Sequence, residues 1–156
     1  MENKKVRNAK EVVYDNIKFK STLEERAYKF LKNSNVNFQY EPKTFVLQEG
    51  FTPTIPFYEP NGKTVIRKFT KKGSDYKVQS MKYTPDFIVI FPNVIGIIEM
   101  KGNPNDRYPM VEKLFRKYLE SSNDFDRKVA FFRVKTITQL SNVLTILKEL
   151  NENEKF

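Results

Sequence analysis

The chain of 156 residues contains no cysteine and no histidine. Without a thiol or an imidazole there is no Ser-His-Asp triad, no cysteine nucleophile, no Cys/His zinc site and no cysteine-held iron–sulfur cluster. Disulfides are excluded, which suits a reducing compartment. Apolar runs are short, each interrupted by Pro, Asn or a charge well before the length of a membrane span. The opening residues, MENKKVRNAKEVVYDN, lack the apolar stretch of a secretion signal. The expectation is a cytoplasmic protein with no membrane partner. Its chemistry must come from carboxylates, lysines and hydroxyls, with or without a hard, oxygen-seeking metal ion.

What the chain does have is positive charge and aromatic bulk. Lys and Arg number 28 against 19 Asp and Glu, a net charge of +9. An excess of that sign favours polyanions: nucleic acid, an anionic membrane surface or an acidic protein. No Lys-rich segment reads as an amphipathic helix with a strong apolar face, which argues against the membrane surface. Fourteen Phe and eight Tyr supply material for a core. A chain of this length would bury roughly two-thirds of its unfolded surface as one domain.

Residues 1–16 read as a flexible, polar N-terminal segment, apart from Val12–Tyr14, with a short strand at Ile17–Phe19. Ser21-Thr22-Leu23-Glu24 has the capping-box form and opens a helix to about Asn33, with Leu23, Ala27, Phe30 and Leu31 on its apolar face. Strands are expected at Val36–Tyr40 and Thr44–Leu47. The stretch 48–82 is broken by Pro53, Pro56 and Pro60, with Asn61-Gly62 as a hairpin signal between Ile55–Glu59 and Thr64–Phe69, then an exposed basic loop over 70–75. It reads as an insertion, a hairpin plus loop, within a single domain spanning 17–156. Strands at Phe87–Phe91 and Val94–Met100 follow, then a helix over about Arg107–Ser121, a strand at Lys128–Val134 and a helix capped at Thr136. The class is α/β, a central mixed sheet flanked by helices.

Chemistry concentrates at Pro85-Asp86 and Glu99-Met100-Lys101. Alternation along a strand sends Glu99 and Lys101 to one face and Met100 to the other. Asp86 opens the preceding strand, so pairing of the two strands would bring it beside Glu99. Two carboxylates and an ammonium converging there suit a divalent cation, since Mg²⁺ takes one or two carboxylates together with water and phosphate oxygens. The same residues also admit plainer roles: Glu24 as a helix cap, Asp86 as a turn residue, Glu99 and Lys101 as an ion pair. Against the last stands the apolar run Ile95-Gly96-Ile97-Ile98, which marks a buried strand where paired carboxylates need a compensating cation.

The ordered set Ser21–Glu24, Phe38–Glu41, Tyr83-Thr84-Pro85-Asp86-Phe87 and Glu99-Met100-Lys101-Gly102 resembles the PD-(D/E)XK nuclease superfamily. Within it the similarity is to phage Holliday junction-resolving enzymes of the endonuclease I type, over residues 17–135. The resemblance implies a restriction-endonuclease-like core and an Mg²⁺-dependent endonuclease, with Mn²⁺ able to substitute. It implies catalytic roles for Glu24, Asp86, Glu99 and Lys101. The metal would rest on Asp86, Glu99 and the Met100 main-chain carbonyl, with Glu24 completing the acidic cluster directly or through water. Branched DNA as substrate and a homodimer follow from the same likeness. The stretch between Glu41 and Tyr83 is longer here than in those enzymes and lies where their inter-subunit bridge would sit.

Lys18, Lys20, Lys63, Arg67, Lys68, Lys71, Lys72 and Lys77 are the cations expected to contact phosphates, each with a solvated surface as its alternative. Lys113, Arg116 and Lys117 are similarly ambiguous. Tyr76 and Tyr83 could stack on bases, Tyr83 equally well in a core. The expected function is an endodeoxyribonuclease acting on branched DNA, in a phage by its Lys- and Asn-rich composition. The alternatives are a nicking or restriction-like enzyme on duplex or flap DNA, and a catalytically inactive DNA-binding or assembly protein of the same fold.

Overall fold

A computed structural model describes residues 11–69, 76–102 and 107–153. They divide into two compact units, 45–82 and the remainder of the chain. The larger unit begins with β1 (Val12–Tyr14) and β2 (Ile17–Phe19), an antiparallel pair joined by Asp15-Asn16. Both turn residues have positive φ, 56° and 60°. This is the two-residue turn whose twist matches the strands, and Asp and Asn tolerate that backbone better than other non-glycine residues. Next come α1 (Thr22–Asn33) and β3 (Phe38–Tyr40). Ser21 caps α1 as its sequence predicts, accepting the Glu24 amide at 3.2 Å.

The smaller unit holds β4 (Phe45–Gln48), β5 (Tyr58–Asn61), β6 (Val65–Lys68) and β7 (Met81–Tyr83), which ends one residue beyond it. β4 is hydrogen-bonded to β7, a strand that the broken 48–82 pattern did not reveal. β5 and β6 form the expected hairpin, but Asn61 pairs with Val65, so three residues make the turn, with Gly62 at φ 76°. The rings of Phe57, Phe69 and Tyr76 pack in sequence, each tilted against the next, at its open end. The basic loop 70–75 lies outside the described residues.

The larger unit resumes with β8 (Phe87–Ile90), β9 (Val94–Met100), α2 (Tyr108–Ser121), β10 (Lys128–Val134) and α3 (Ile137–Glu152). Its sheet runs β10-β9-β8-β3, with β10 parallel to β9 and the other pairs antiparallel. The chain is therefore α/β with a mixed central sheet. Alternation sorts the faces. Val94, Ile98 and Met100 of β9 join Ala27 and Leu31 of α1 and Leu140, Val143, Leu144 and Leu147 of α3 in one core. On the other face Phe115 of α2 meets Phe131 of β10 and Tyr83, ring centroids 5.4 and 4.5 Å away. Gly96 allows α3 to lie close: a Cβ there would fall 2.5 Å from a Leu147 methyl. β9 is buried along its whole length, so any charge it carries faces a cost unless matched.

Candidate active site

Asp86 stands where the β8–β9 ladder ends. Phe87 pairs with Ile98, and the next hydrogen bond comes from a side chain: the Met100 amide donates to Asp86 Oδ2 at 2.7 Å. This anchors the carboxylate to β9 beside Glu99. Met100 sends its side chain into the core, leaving Glu99 and Lys101 on the face that α2 covers. Asp86 is 8% exposed and Glu99 5%. The Tyr83 hydroxyl donates to Glu99 Oε2 at 2.7 Å. Glu99 Oε1 faces the Lys101 ammonium at 3.5 Å. That ammonium also lies 4.7 Å from the centre of the Tyr108 ring, whose face attracts cations.

Glu24 enters from α1, 7% exposed. Ser21 Oγ donates to its Oε1 at 2.9 Å, while Tyr40 Oη and the Lys20 amide reach its Oε2 at 2.7 and 3.2 Å. The capping box is therefore formed, with the carboxylate accepting the amide one residue ahead of the cap. Lys20 pairs through its ammonium with Glu41. Glu41 follows β3 at φ 43°, unusual for this residue type, and its amide donates to the Asp86 carbonyl at 2.8 Å. Lys20 and Glu41 thus tie together the segments that carry Glu24 and Asp86.

Electrostatics set this cluster apart. Burial first, then the charges of Glu99 and Glu24, push the Asp86 carboxyl well above the ordinary carboxylate range. Burial raises Glu99 as well, against the opposing pull of Tyr83 and Lys101. Burial also raises the hydroxyls of Tyr40 and Tyr83, which stay protonated and can donate to their carboxylates. Negative charge here exceeds what one ammonium offsets. Among the described residues no group of three or more Asp or Glu side chains gathers to hold one ion. A divalent cation would instead rest on Asp86 and Glu99, the Met100 carbonyl and water. That all-oxygen set fits the coordination Mg²⁺ accepts.

Glu24, Asp86, Glu99 and Lys101 thus lie within electrostatic reach of one another. The expected DNA-contacting residues that are described divide between the two units. Lys18 is exposed and paired with Glu11 at 2.7 Å, and Lys20 is taken by Glu41. Arg67, paired with Glu59 at 3.4 Å, belongs with Lys63, Lys68 and Lys77 to unit 45–82, all four exposed. Lys71 and Lys72 lie outside the described residues. Tyr83 is buried, so its ring packs on Phe115 and is closed to base stacking. Sequence reasoning passed over Tyr40, Tyr108 and Arg133. Arg133 sits opposite Glu99 in the β9–β10 register, on the same face, and donates to Glu112 of α2 at 2.9 Å. The alternation of β10 could have flagged Arg133 only with the register in hand.

Among the described residues no helix is long and apolar enough to cross a membrane. No curated protein and no solved structure matches the chain. A family described as "Protein of unknown function (DUF1064)" does match, over residues 4–133, and the chain belongs to that family.

Proposed function

We propose that the protein is an Mg²⁺-dependent endodeoxyribonuclease of the PD-(D/E)XK type, acting on branched DNA in the cytoplasm of a phage-infected cell. The observation that carries the reading is the pair of buried carboxylates, Asp86 and Glu99, with Lys101 3.5 Å from Glu99. A structural ion pair would be satisfied by one acid and one ammonium. A second acid, raised in pKa by burial first and by the neighbouring carboxylate next, is an arrangement that costs stability and recurs at catalytic sites.

Bound Mg²⁺ would supply a Lewis acid that activates water and offsets charge developing on a phosphodiester. The chain's own residues have separate tasks. Asp86 and Glu99 provide the oxygen ligands, and the Met100 amide and Tyr83 hydroxyl hold them in orientation. Lys101, near Glu99 and held over Tyr108, is placed to hydrogen-bond a water or a phosphate oxygen and to stabilise charge in the transition state. Glu24 adds negative charge close by while three donors keep it fixed. The net charge of +9 supports a polyanionic substrate.

The test is cleavage of a four-way junction, a flap, linear duplex and single-stranded DNA, with Mg²⁺ and with EDTA, alongside Asp86→Asn, Glu99→Gln and Lys101→Ala. Paired cuts near the junction that need Mg²⁺ and vanish in the carboxylate variants are the expected result, with Lys101→Ala slowed. Equal cutting of linear duplex would discard junction preference and keep the nuclease. Binding without cleavage of any substrate would discard the nuclease.

A further inference from the structure

A groove of about 610 Å³ opens between α2 and β10 in the larger unit. Its size lies in the range of small-ligand sites. Phe125 and Phe131 contribute apolar surface, and Arg116, Arg127 and Arg133 contribute guanidinium groups. Two acids, Glu112 and Glu120, also line it, but Glu112 is already engaged by Arg133 at 2.9 Å. Arg127 pairs with the neighbouring Asp126 and donates to the Phe91 carbonyl at 3.1 Å. Arg116 is exposed and has no partner among the described residues. The Ser122 hydroxyl, also at the groove, is buried and has no hydrogen-bond partner among the described residues. A buried hydroxyl left unsatisfied is costly, and an anion's oxygen would satisfy it.

The groove and Glu99 of the carboxylate cluster share one face of the sheet. Arg133, at one end, is the β10 neighbour of Glu99 on the same face of the sheet. A ligand long enough to extend beyond Arg133 would approach Glu99. The Arg116 guanidinium beside aromatic and aliphatic surface matches a ligand with an anionic backbone and flat, apolar faces.

We propose that this groove seats a nucleotide of the DNA strand that flanks the scissile phosphate. Its phosphate meets Arg116 and the Ser122 hydroxyl, and its base lies against the phenylalanine surface. The proposal rests on the nuclease reading for its substrate and adds a binding site to it.

The test measures binding, so that it stands apart from cleavage. A fluorescein-labelled four-way junction and a single-stranded 20-mer are titrated in EDTA with protein carrying Asp86→Asn. Arg116→Glu, Arg116→Lys and Ser122→Ala are added singly. Lys148→Glu, an exposed position on α3 across the sheet, makes the same change in net charge away from the groove. Arg116→Glu is expected to weaken binding on the order of tenfold and to lower the slope against log salt by about one. Arg116→Lys should keep most of the affinity, Ser122→Ala should lose severalfold, and Lys148→Glu should change little. Matching thermal melts would confirm that the variants fold. If Arg116→Glu weakens binding no more than Lys148→Glu, the groove proposal falls, as it would for a groove serving an acidic peptide. Groove-dependent binding without cleavage by the wild type would keep the groove and discard the nuclease. Cleavage with no groove dependence would do the reverse.

Discussion

Asp86 accepts the Met100 amide at 2.7 Å, replacing a ladder hydrogen bond between β8 and β9 with a side-chain bond. The carboxylate thus acts as a structural clamp and as a buried charge 8% exposed. One oxygen secures the strand end. The ionised group as a whole is opposed by Glu99 and Glu24.

Replacing Asp86 with Asn separates these two roles. The amide oxygen can still accept from Met100, while the repulsion from Glu99 and Glu24 disappears. Asp86→Asn should therefore abolish Mg²⁺-dependent cleavage yet raise metal-free stability at neutral pH by about 1 kcal/mol. That gain would appear as roughly 2–4 °C in a thermal melt. A variant that loses both activity and stability would show that the charge at this position is structural.

The raised carboxyls also fix how stability varies with pH. Asp86 and Glu99 hold protons more tightly in the folded chain than their ordinary values of 3.8 and 4.5. Their protonated forms favour the fold fully below those values, and that contribution is lost as pH rises through the raised ones. Asp15, Asp124 and Asp126 are lowered by cationic partners and act in the opposite sense, but only near and below 3.8. In EDTA the melting temperature should therefore decline from about pH 5 upward. The decline should shrink in Asp86→Asn, and Mg²⁺ should raise stability at neutral pH by binding the folded state. A melting temperature that climbs from pH 5 to 8 in EDTA would show that burial does not hold protons on these carboxylates.

Tyr83 offers a finer test of the ligand geometry. Tyr83→Phe keeps the ring contact with Phe115 and removes the donor to Glu99 Oε2. A hydrogen bond to a charged group is worth about 1.5–3 kcal/mol, so cleavage should slow by roughly tenfold or more. DNA affinity should not change, because the hydroxyl is buried and its bond is to Glu99. Single-turnover rates beside equilibrium binding would read the two quantities separately, and an unchanged rate would remove Tyr83 from the machinery.

Gly96 tests the packing that supports the site. An added Cβ would meet Leu147, which is fully buried and has little room to yield. Gly96→Ala should cost about 1–3 kcal/mol through overpacking of α3 on β9. Chemical denaturation measures this loss, and a neutral result would mean that α3 sits less tightly than its contacts indicate.

Much of the larger unit was legible from local pattern. Apolar spacing and Ser21 marked α1, Thr136 marked α3, and the runs Val94–Met100 and Lys128–Val134 marked β9 and β10 at the ends observed. Unit 45–82 was less legible. Its prolines broke the alternation, β7 is three residues long, and what pairs β4 with β7 is a closure across more than thirty residues that no window can detect. Val12–Tyr14 needed its partner β2 to be recognisable as a strand.

At the site, alternation alone placed Glu99 and Lys101 on one face with Met100 turned away, because side chains along any strand obey a period of two. Composition excluded imidazole and thiol chemistry. Tertiary structure decided everything that depends on register and approach between separate segments. It set Asp86 against the Met100 amide, brought Tyr83 and Tyr40 to their carboxylates, and aligned Arg133 with Glu99 across a parallel pair. The burial that raises Asp86 and Glu99 also belongs to the fold, since desolvation is a property of what surrounds a charge and not of the residue that bears it.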